Sequence, residues 1–464
     1  MIAQSKKTNS TYVPRLIKFH LSNAAKVPNQ FSKETKQNHY WQRIGGVFKK
    51  LFFQSVVPFV QARHREIKDN IRLCRDKFRE IKKILRMKKR RLITHSELVQ
   101  KTNSTKYILC MNSEIKTNIP RIINNTGIII PRLEAIEMNA PPVGVFLLKN
   151  AKVVGGSNMV FHKKYMVHHD LFQFETDYTS EELHRKYTIL PERNLAFIHM
   201  RKNTKYKIQS AATFLDAGSR NYAHWLTEVL PRVLLFIKNK EYESIPLLID
   251  SGLHENIMSS LKCAVDLEKT CYLVDNEVEV LADKLYVTNA ASYVPFEPRP
   301  DSVKCGSHGV FNKHAIDMMR KTFIPAKAAK GKKSRRIFIK RGQNIRAIKN
   351  EDKIIGALKT IGFEIIEPEK LSFQDQVKTF SNADVIVGAS GAALANLIFS
   401  PAEAKNIILA AANPLLKYGY WQNLVQTFGG QISYILGHPE SSKIHSAFTI
   451  NMQILKKEIS KCLA

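Results

Sequence analysis

Short apolar runs alternate with amphipathic stretches along residues 336–436. The runs are rich in Val and Ile and predict strands, while the stretches between them carry apolar residues at helical spacing. Gly362 ends one such stretch and Ser372 begins the next, as helix boundaries do. This rhythm predicts a doubly wound, mostly parallel sheet covered by helices. The predicted strands are 336–339, 363–366, 384–387, 406–409 and 432–436, and the predicted helices are 350–361, 372–380, 391–399 and 446–463.

The pattern is different between residues 143 and 274. Apolar runs broken by Gly155-Gly156 and Lys163-Lys164 predict a small antiparallel β element; they lie at 145–148, 153–154, 159–161 and 165–167. Asn221 is a suitable N-cap for a helix that continues to Ile237, and Pro231 predicts a kink or a boundary in it. Further along, strands at 245–249 and 270–274 with a helix at 254–264 predict another α/β layer.

The first 100 residues have a character of their own. Residues 46–62 are apolar with two lysines, and six apolar positions then recur at spacings of four and three along 67–85, flanked by basic residues. We therefore predict a basic helical N-terminal extension. Three interpretations of this helix stay open: it packs on the body of the protein, it lies on an anionic membrane surface, or it self-associates.

The composition of the chain limits the number of domains and the classes of partner. The 464 residues are 44% hydrophobic, enough for two globular domains plus a tail, and no apolar run is long enough to span a membrane. We see no signal peptide, and the six cysteines form no zinc-type cluster. The net charge of +32 is concentrated at 63–91 and 325–349, which predicts an anionic partner: nucleic acid, lipid headgroups or a phosphorylated substrate.

A small-residue turn carries the first candidate site. Strand 384–387 runs into Gly388–Ala393, and the amides of Ser390, Gly391 and Ala392 would face a ligand at the start of a helix, where phosphate binds. Arg341 and Arg346 follow a neighbouring strand, so we expect them at the same sheet edge, where they would hold a diphosphate. A tight packing turn and a solvated basic loop are the simpler alternatives.

The second candidate is the pair His224 and Glu228. Four residues apart on one helix, they share a face, and a carboxylate beside a histidine creates a general base. The alternative is a capped helix start with an ion pair at the surface. No third residue completes a metal site.

Four motifs in this order resemble glycosyltransferase family 61, which includes many bacterial capsular and surface-polysaccharide proteins. The resemblance covers about 143–437, and its motifs are Asn221-Tyr222-Ala223-His224-Trp225 through Leu230-Pro231-Arg232; Lys340-Arg341 with Arg346 and Asn350-Glu351; Pro368-Glu369 through Phe373 with Gln376; and Ala383-Asp384 through Gly391-Ala392 and Asn396–Phe399. Many members carry His where this chain has Ser390, and a carboxylate where it has Ala410 and Ala411.

The resemblance implies a GT-B-like α/β fold in which two Rossmann-like domains face each other across a cleft. It implies that the sugar of a nucleotide-sugar donor is transferred with inversion, without a metal or another cofactor. His224 would be the base and Glu228 its orienting partner, and the matching positions for donor or acceptor contacts are Asn221, Lys340, Glu369 and Asn396. The expected domains are the extension at 1–100, an acceptor domain at 101–325, a nucleotide-sugar domain at 326–440 and a C-terminal helix at 441–464.

These inferences predict a cytoplasmic glycosyltransferase at the inner face of the membrane, attached through 46–92, that transfers a sugar to a glycan or a lipid-linked acceptor of a surface polysaccharide. Two alternatives remain. The departures at Ser390 and Ala410 are compatible with an inactive sugar-binding or assembly relative. The basic charge is compatible with nucleic-acid binding, although no specific nucleic-acid motif is present.

Overall fold

The computed structural model describes residues 88–104, 106–199, 205–265, 271–299, 309–326, 334–341 and 345–464. The predicted amphipathic stripe at 67–85 and nearly all of the proposed membrane-binding segment 46–92 therefore lie outside the described residues. Residues 87–464 form one compact unit. Within it two sheets are covered by helices, so the α/β class predicted from the sequence is confirmed.

The second sheet, built mainly from residues 335–449, has the predicted βα rhythm. Its strands are parallel apart from the last, and each predicted strand is present within a few residues. Their apolar side chains are buried on both faces, as in parallel sheets covered by helices. In spatial order the strands are Glu364–Ile366, Arg335–Ile339, Ala383–Ala389, Lys405–Ala411, Gln431–Pro439 and Phe448–Thr449, and Arg121–Asn124 also pairs with Gln431–Pro439.

The first sheet is mixed. Its larger parallel part is Glu279–Thr288, Lys205–Thr213, Leu247–Asp250 and Cys271–Val274, and Lys88–Thr94 also runs parallel to Tyr165–His168. The antiparallel element predicted near 145–167 is present, but it is not small, because Val143–Val154 pairs along its length with Glu279–Thr288 and joins one large sheet. The other strands are Tyr187–Leu190, Leu195–Ile198, Lys88–Thr94, Tyr165–His168, Val160–His162 and Lys106–Cys110.

Helices fill the connections of both sheets. Three short two-stranded pairs complete the architecture: Ser113–Lys116 with Glu137–Ala140, Asp177–Tyr178 with Glu297–Pro298, and Ser292–Tyr293 with Val310–Phe311. The α-helices are His95–Thr102, Ser180–Leu183, Tyr222–His224, Leu230–Ile237, Glu255–Ala264, Lys313–Phe323, Glu351–Lys359, Phe373–Ser381, Gly419–Gln426 and Met452–Leu463, and short 3-10 helices lie at Pro191–Arg193, Lys240–Tyr242, Pro368–Lys370 and Ala392–Phe399.

Three predicted boundaries need correction. The extension does not reach residue 100 as a helix, because Lys88–Thr94 is a strand of the first sheet with Leu92 and Ile93 buried. Arg121–Asn124, expected in the acceptor domain, pairs with the second sheet. The C-terminal helix begins at Met452 and packs on the second sheet through Leu455 and Ile459, not on the first. No described helix is long and apolar enough to cross a membrane.

One hydrophobic core joins the two sheets. It contains the fully buried Trp225 and Val229 from the first half and Ile337 and Leu397 from the second. A polar contact lies within it: the Tyr222 hydroxyl is 3.0 Å from both Gln376 Oε1 and Asn396 Oδ1, and Asn396 Nδ2 donates to Gln376 Oε1 at 2.7 Å. Buried amides and hydroxyls stabilise a fold only when they are paired, so this triad holds the halves in one register.

Replacing Gln376 by Ala should lower the free energy of unfolding by about 1–3 kcal/mol, because Tyr222 and Asn396 lose a buried partner. Urea unfolding followed by fluorescence measures this. Lys378→Ala is the matched control, since the Lys378 side chain lies exposed on the same helix. Equal losses for the two variants would show that the triad does not stabilise the contact between the halves.

Candidate active site

The helix that carries the predicted base changes its hydrogen-bonding register. Asn221 caps it as predicted, since its side chain accepts from the Ala223 amide. After Tyr222–His224 the chain forms a π-helical turn, Trp225–Val229, in which the Leu230 amide donates to the Trp225 carbonyl. Pro231 has no amide hydrogen and lies in the first turn of the following α-helix, where none is needed. The boundary predicted at Pro231 is therefore confirmed, and π turns of this kind are frequent at functional sites.

His224 and Glu228 form a buried pair on this helix. His224 Nδ1 and Glu228 Oε1 are 2.5 Å apart, and the side chains are only 13% and 10% exposed. The alternative of a surface ion pair is therefore wrong. An ionised carboxylate can only accept, so Nδ1 carries the hydrogen and Nε2 is left as the basic atom.

The surroundings of His224 fix its ring. Phe296 stacks on the imidazole with ring centroids 4.7 Å apart, and the Val294 amide is 3.4 Å from Glu228 Oε2. Gly218 packs against the base of the ring, where an added Cβ would lie 3.0 Å from the His224 Cβ. The imidazole therefore has one orientation, as a proton acceptor needs.

A polar network behind the pair was missed by sequence reasoning. Arg232 donates to the Glu228 carbonyl and to Asp216 Oδ2, each at 2.9 Å, and Asp216 also accepts from Asn158. Asp250 accepts from the Asp216 amide. Asp216 and Asp250 follow or end adjacent parallel strands, and the carboxyl ends of such strands are where ligands bind. For Asp250 the position directly after the predicted strand 245–249 was a signal in the sequence, whereas no predicted strand preceded Asp216.

Charge and burial oppose each other at His224. Burial lowers the pKa of His224, but the Glu228 carboxylate, with a contribution from Asp216, outweighs it, so the net shift in pKa is upward. Burial raises the pKa of Glu228, and the attraction of His224 offsets only part of that increase. Both shifts favour the protonated form of the group concerned.

The Gly391 turn, residues 389–392, differs in part from its prediction. The segment after it, Ala392–Phe399, is a 3-10 helix rather than an α-helix. The Ser390 amide donates to the Leu409 carbonyl, so it is not free for phosphate as expected, and the anion site would begin at Gly391. Arg341 Nη1 donates to the Ser390 carbonyl, and an added Cβ at Gly391 would collide with that guanidinium. A larger residue at position 391 would therefore displace the Arg341 guanidinium from the turn.

Arg346 lies beside the same turn. It lines a small open pocket together with Ser390, Leu409, Ala410, Ala411, Leu416, Ile444 and Phe448. Burial lowers the pKa of Arg346, and the nearby Arg341 lowers it further. Its φ of 66° is uncommon for a residue other than glycine, and such strain concentrates at functional sites. The structure thus brings Arg341, Arg346 and Ser390 together, and Ala410 and Ala411 line the same pocket.

The remaining predicted contact residues separate into two groups. Asn396 is fully buried, and both ends of its amide are engaged in the Tyr222 triad, so its expected contact with a ligand is replaced by a structural one. Lys340 Nζ lies 4.0 Å from Glu367, and Glu369 is exposed near Arg341. Asn221 is exposed at the start of the base helix. Lys340, Glu369 and Asn221 therefore lie at the edges of the two candidate sites, and their contacts do not indicate a particular ligand.

The two candidate sites are adjacent. The turn Tyr222–His224 packs directly on Ala392–Phe399. From the other side, Trp421 Nε1 is 3.5 Å from Ser390 Oγ, and the Trp421 ring stacks on Tyr420 at 4.1 Å. Burial, with a contribution from the Glu228 carboxylate, raises the pKa of Tyr420. A basic pocket thus lies next to a buried His–Glu pair. Among the described residues no three His, Cys, Asp or Glu side chains are grouped to hold a metal ion.

Comparison with known proteins agrees with this arrangement. The family model described as Glycosyltransferase 61 matches residues 222–407, which include both candidate sites. The chain is also 30% identical over 102 residues to the EGF domain-specific O-linked N-acetylglucosamine transferases of Bos taurus and Mus musculus, and 26% identical to that of Gallus gallus.

These aligned segments are short. They cover 21% of this chain and 19% of each relative, so the chain spans about a fifth of the length of the curated relatives it matches. The relatives are vertebrate enzymes and not bacterial capsular proteins, so the narrower bacterial type remains a prediction. Residues 222–407 resemble glycosyltransferase family 61, and the comparisons support a transferase.

Proposed function

We propose that this protein is an inverting glycosyltransferase that moves a sugar from a nucleotide-sugar donor to the hydroxyl group of a glycan or lipid-linked acceptor. The observation that carries the proposal is the contact between Tyr222–His224 and Ala392–Phe399. It joins a buried His–Glu pair to a turn approached by two arginines, and inverting transfer needs a base and a site that stabilises a departing diphosphate.

The donor diphosphate would bind at the Gly391 turn. Arg341 and Arg346 supply two cations beside it. The Ser390 amide already donates to the Leu409 carbonyl, so the amides of Gly391 and Ala392 would be the ones that bind the diphosphate. Guanidinium groups suit a diphosphate because each can donate two parallel hydrogen bonds. They balance the charge that develops on the leaving group, so we propose a reaction that needs no metal.

His224 would remove the proton of the acceptor hydroxyl. Its Nδ1–H donates to Glu228, which orients the ring and stabilises the imidazolium once Nε2 has taken the proton. The acceptor oxygen then attacks the anomeric carbon on the face opposite to the diphosphate, and the configuration inverts. Phe296 gives the acceptor sugar an exposed apolar surface above the imidazole.

The acceptor and the location of the enzyme extend this proposal. The part of the basic segment 46–92 that precedes strand Lys88–Thr94 would hold the protein at an anionic membrane surface on the cytoplasmic side, near a lipid-linked glycan of a surface polysaccharide. The relatives are named for transfer of N-acetylglucosamine to EGF domains, so this sugar belongs in the donor panel.

Arg341→Ala should weaken binding of the matching nucleoside diphosphate by about 10- to 100-fold, since a charge-assisted hydrogen bond contributes about 1.5–3 kcal/mol. Thermal-shift titration with UDP, GDP, CDP and their sugar conjugates, UDP-N-acetylglucosamine included, measures this. Arg336→Ala is the matched control, because Arg336 lies on the preceding strand and bonds the Ile361 carbonyl. Unchanged affinity in Arg341→Ala would place the diphosphate elsewhere.

His224→Ala should reduce kcat by about 10²- to 10⁴-fold and leave donor affinity intact, because only proton transfer is lost. Steady-state transfer assays with a donor found in the nucleotide panel test this. A variant that retains the native rate would exclude His224 as the base.

The rate of transfer should rise with pH and level off above the raised pKa of His224, because only the neutral imidazole accepts a proton. Glu228→Gln removes the charge that raises this pKa, so burial then dominates and the rising limb should move to lower pH. A profile of kcat/KM against pH for both proteins measures the shift. An unmoved limb would mean that the titrating group is not His224.

A further inference from the structure

The helix that carries His224 and Glu228 changes register just before Pro231. Because Pro231 has no amide hydrogen, the Thr227 carbonyl, four residues earlier, lacks the donor that an α-helix would supply. The chain forms the π turn Trp225–Val229 there. Such turns are rare, and an uncommon backbone conformation persists only where its surroundings hold it. The residues that hold this turn therefore also determine where the two side chains lie.

Side-chain donors bond the backbone within and beside the π turn. Thr227 Oγ1 donates to the Ala223 carbonyl at 2.8 Å, and Arg232 Nε donates to the Glu228 carbonyl at 2.9 Å. Thr227 is fully buried, and the Arg232 side chain is only 12% exposed. Away from water, these hydrogen bonds are strong and are costly to break. Arg232 thus fixes the backbone at the residue that carries the carboxylate.

Arg232 also reaches the loop that lies against the imidazole. Its Nη2 donates to Asp216 Oδ2 at 2.9 Å, and Asp216 Oδ1 accepts from the Gly218 amide at 2.8 Å. Gly218 is the residue that packs on His224, where an added Cβ would lie 3.0 Å from the His224 Cβ. The Arg232–Asp216 ion pair therefore connects the backbone of Glu228 with the loop at the base of the His224 ring.

Asp216 is itself held in place. Its side chain is 7% exposed, its Oδ2 also accepts from Asn158 Nδ2, and its amide donates to Asp250 Oδ2. A buried ion pair contributes little net stability, because both charges have lost their water. A guanidinium that donates along two fixed directions does give a defined orientation. Orientation is thus the property that this arrangement of Arg232 supplies.

We propose that Arg232, held by Asp216, and Thr227 are positioning residues that hold the π turn so that the Glu228 carboxylate faces Nδ1 of His224. The catalytic consequence rests on the proposed function, because there His224 is the base that Glu228 orients. The three residues act through the Glu228–His224 contact of 2.5 Å and need not touch a substrate.

Two variants that conserve charge test this. Arg232→Lys replaces the planar fork by a single ammonium, and Thr227→Val removes a hydroxyl with little change of shape. Both should lower the pKa of His224 by at least about 0.5, because displacing the Glu228 carboxylate weakens the attraction that raises this pKa. NMR titration of ¹⁵N-labelled histidines in the full-length protein measures it, with the His224 signal identified from His224→Ala. In transfer assays kcat should fall about 10-fold or more, with nucleoside-diphosphate affinity unchanged.

Arg299→Lys is the matched control. Arg299 Nε donates to the Phe174 carbonyl and its Nη2 to the Glu182 carboxylate, and its side chain is 14% exposed, so the same pattern of bonds is lost at similar burial. This variant should lower the melting temperature about as much as Arg232→Lys and leave the pKa of His224 unchanged.

A second measurement separates positioning from general destabilisation. Added to Glu228→Ala, which has no carboxylate left to position, Arg232→Lys should change kcat by less than about 2-fold. Effects of the two substitutions that multiply would overturn the proposal. So would a His224 pKa that is the same in wild type, Arg232→Lys and Thr227→Val, since the bonds would then only stabilise the fold. If the pKa falls as expected but the wild type transfers no sugar, the positioning role stands and the proposed transfer reaction fails.

Discussion

The arrangement of this molecule depends on the buried contact between the turn at Tyr222 and the helix that follows Gly391. Tyr222, Gln376 and Asn396 pair their polar atoms inside an apolar core, where an unpaired group would be costly. The triad fixes the rotation of the base helix against the second sheet. His224 is two residues from Tyr222, and Gly391 is five residues from Asn396, so the same contact sets the distance between base and diphosphate site.

Charge is divided across this contact. The first half supplies buried carboxylates, Glu228, Asp216 and Asp250, while the second half supplies Arg341 and Arg346. In the proposed reaction the anionic leaving group would be attracted to the basic residues, and the acceptor hydroxyl would meet the acidic residues, of which Glu228 raises the pKa of His224. The separation of charge that the proposed transfer needs therefore arises because the first half provides the carboxylates and the second half provides the cations.

Local sequence predicted most elements of the second sheet because its central strands, Ala383–Ala389 and Lys405–Ala411, are buried on both faces. Ser372 caps one of its helices, and Gly362 follows the end of another. The first sheet was harder to predict. Lys88–Thr94 begins with four basic residues, and its membership in the sheet depends on Leu92 and Ile93 finding partners on Tyr165–His168, more than 70 residues away. The length of the predicted antiparallel element was likewise set by its pairing with Glu279–Thr288, which local periodicity does not encode.

By itself, the sequence determined the elements, the capped helix with His224 and Glu228 on one face, and the glycine turn, because spacing and residue type act over a few positions. Only the tertiary structure decided that the His224–Glu228 pair is buried, that Ser390 gives its amide to Leu409, and that Asn396 supports the fold. It also brought Asp216 to the site through Arg232. The physical reason is that burial and pairing depend on partners distant in the chain, and a hydrogen bond already made within the fold is not available to a ligand.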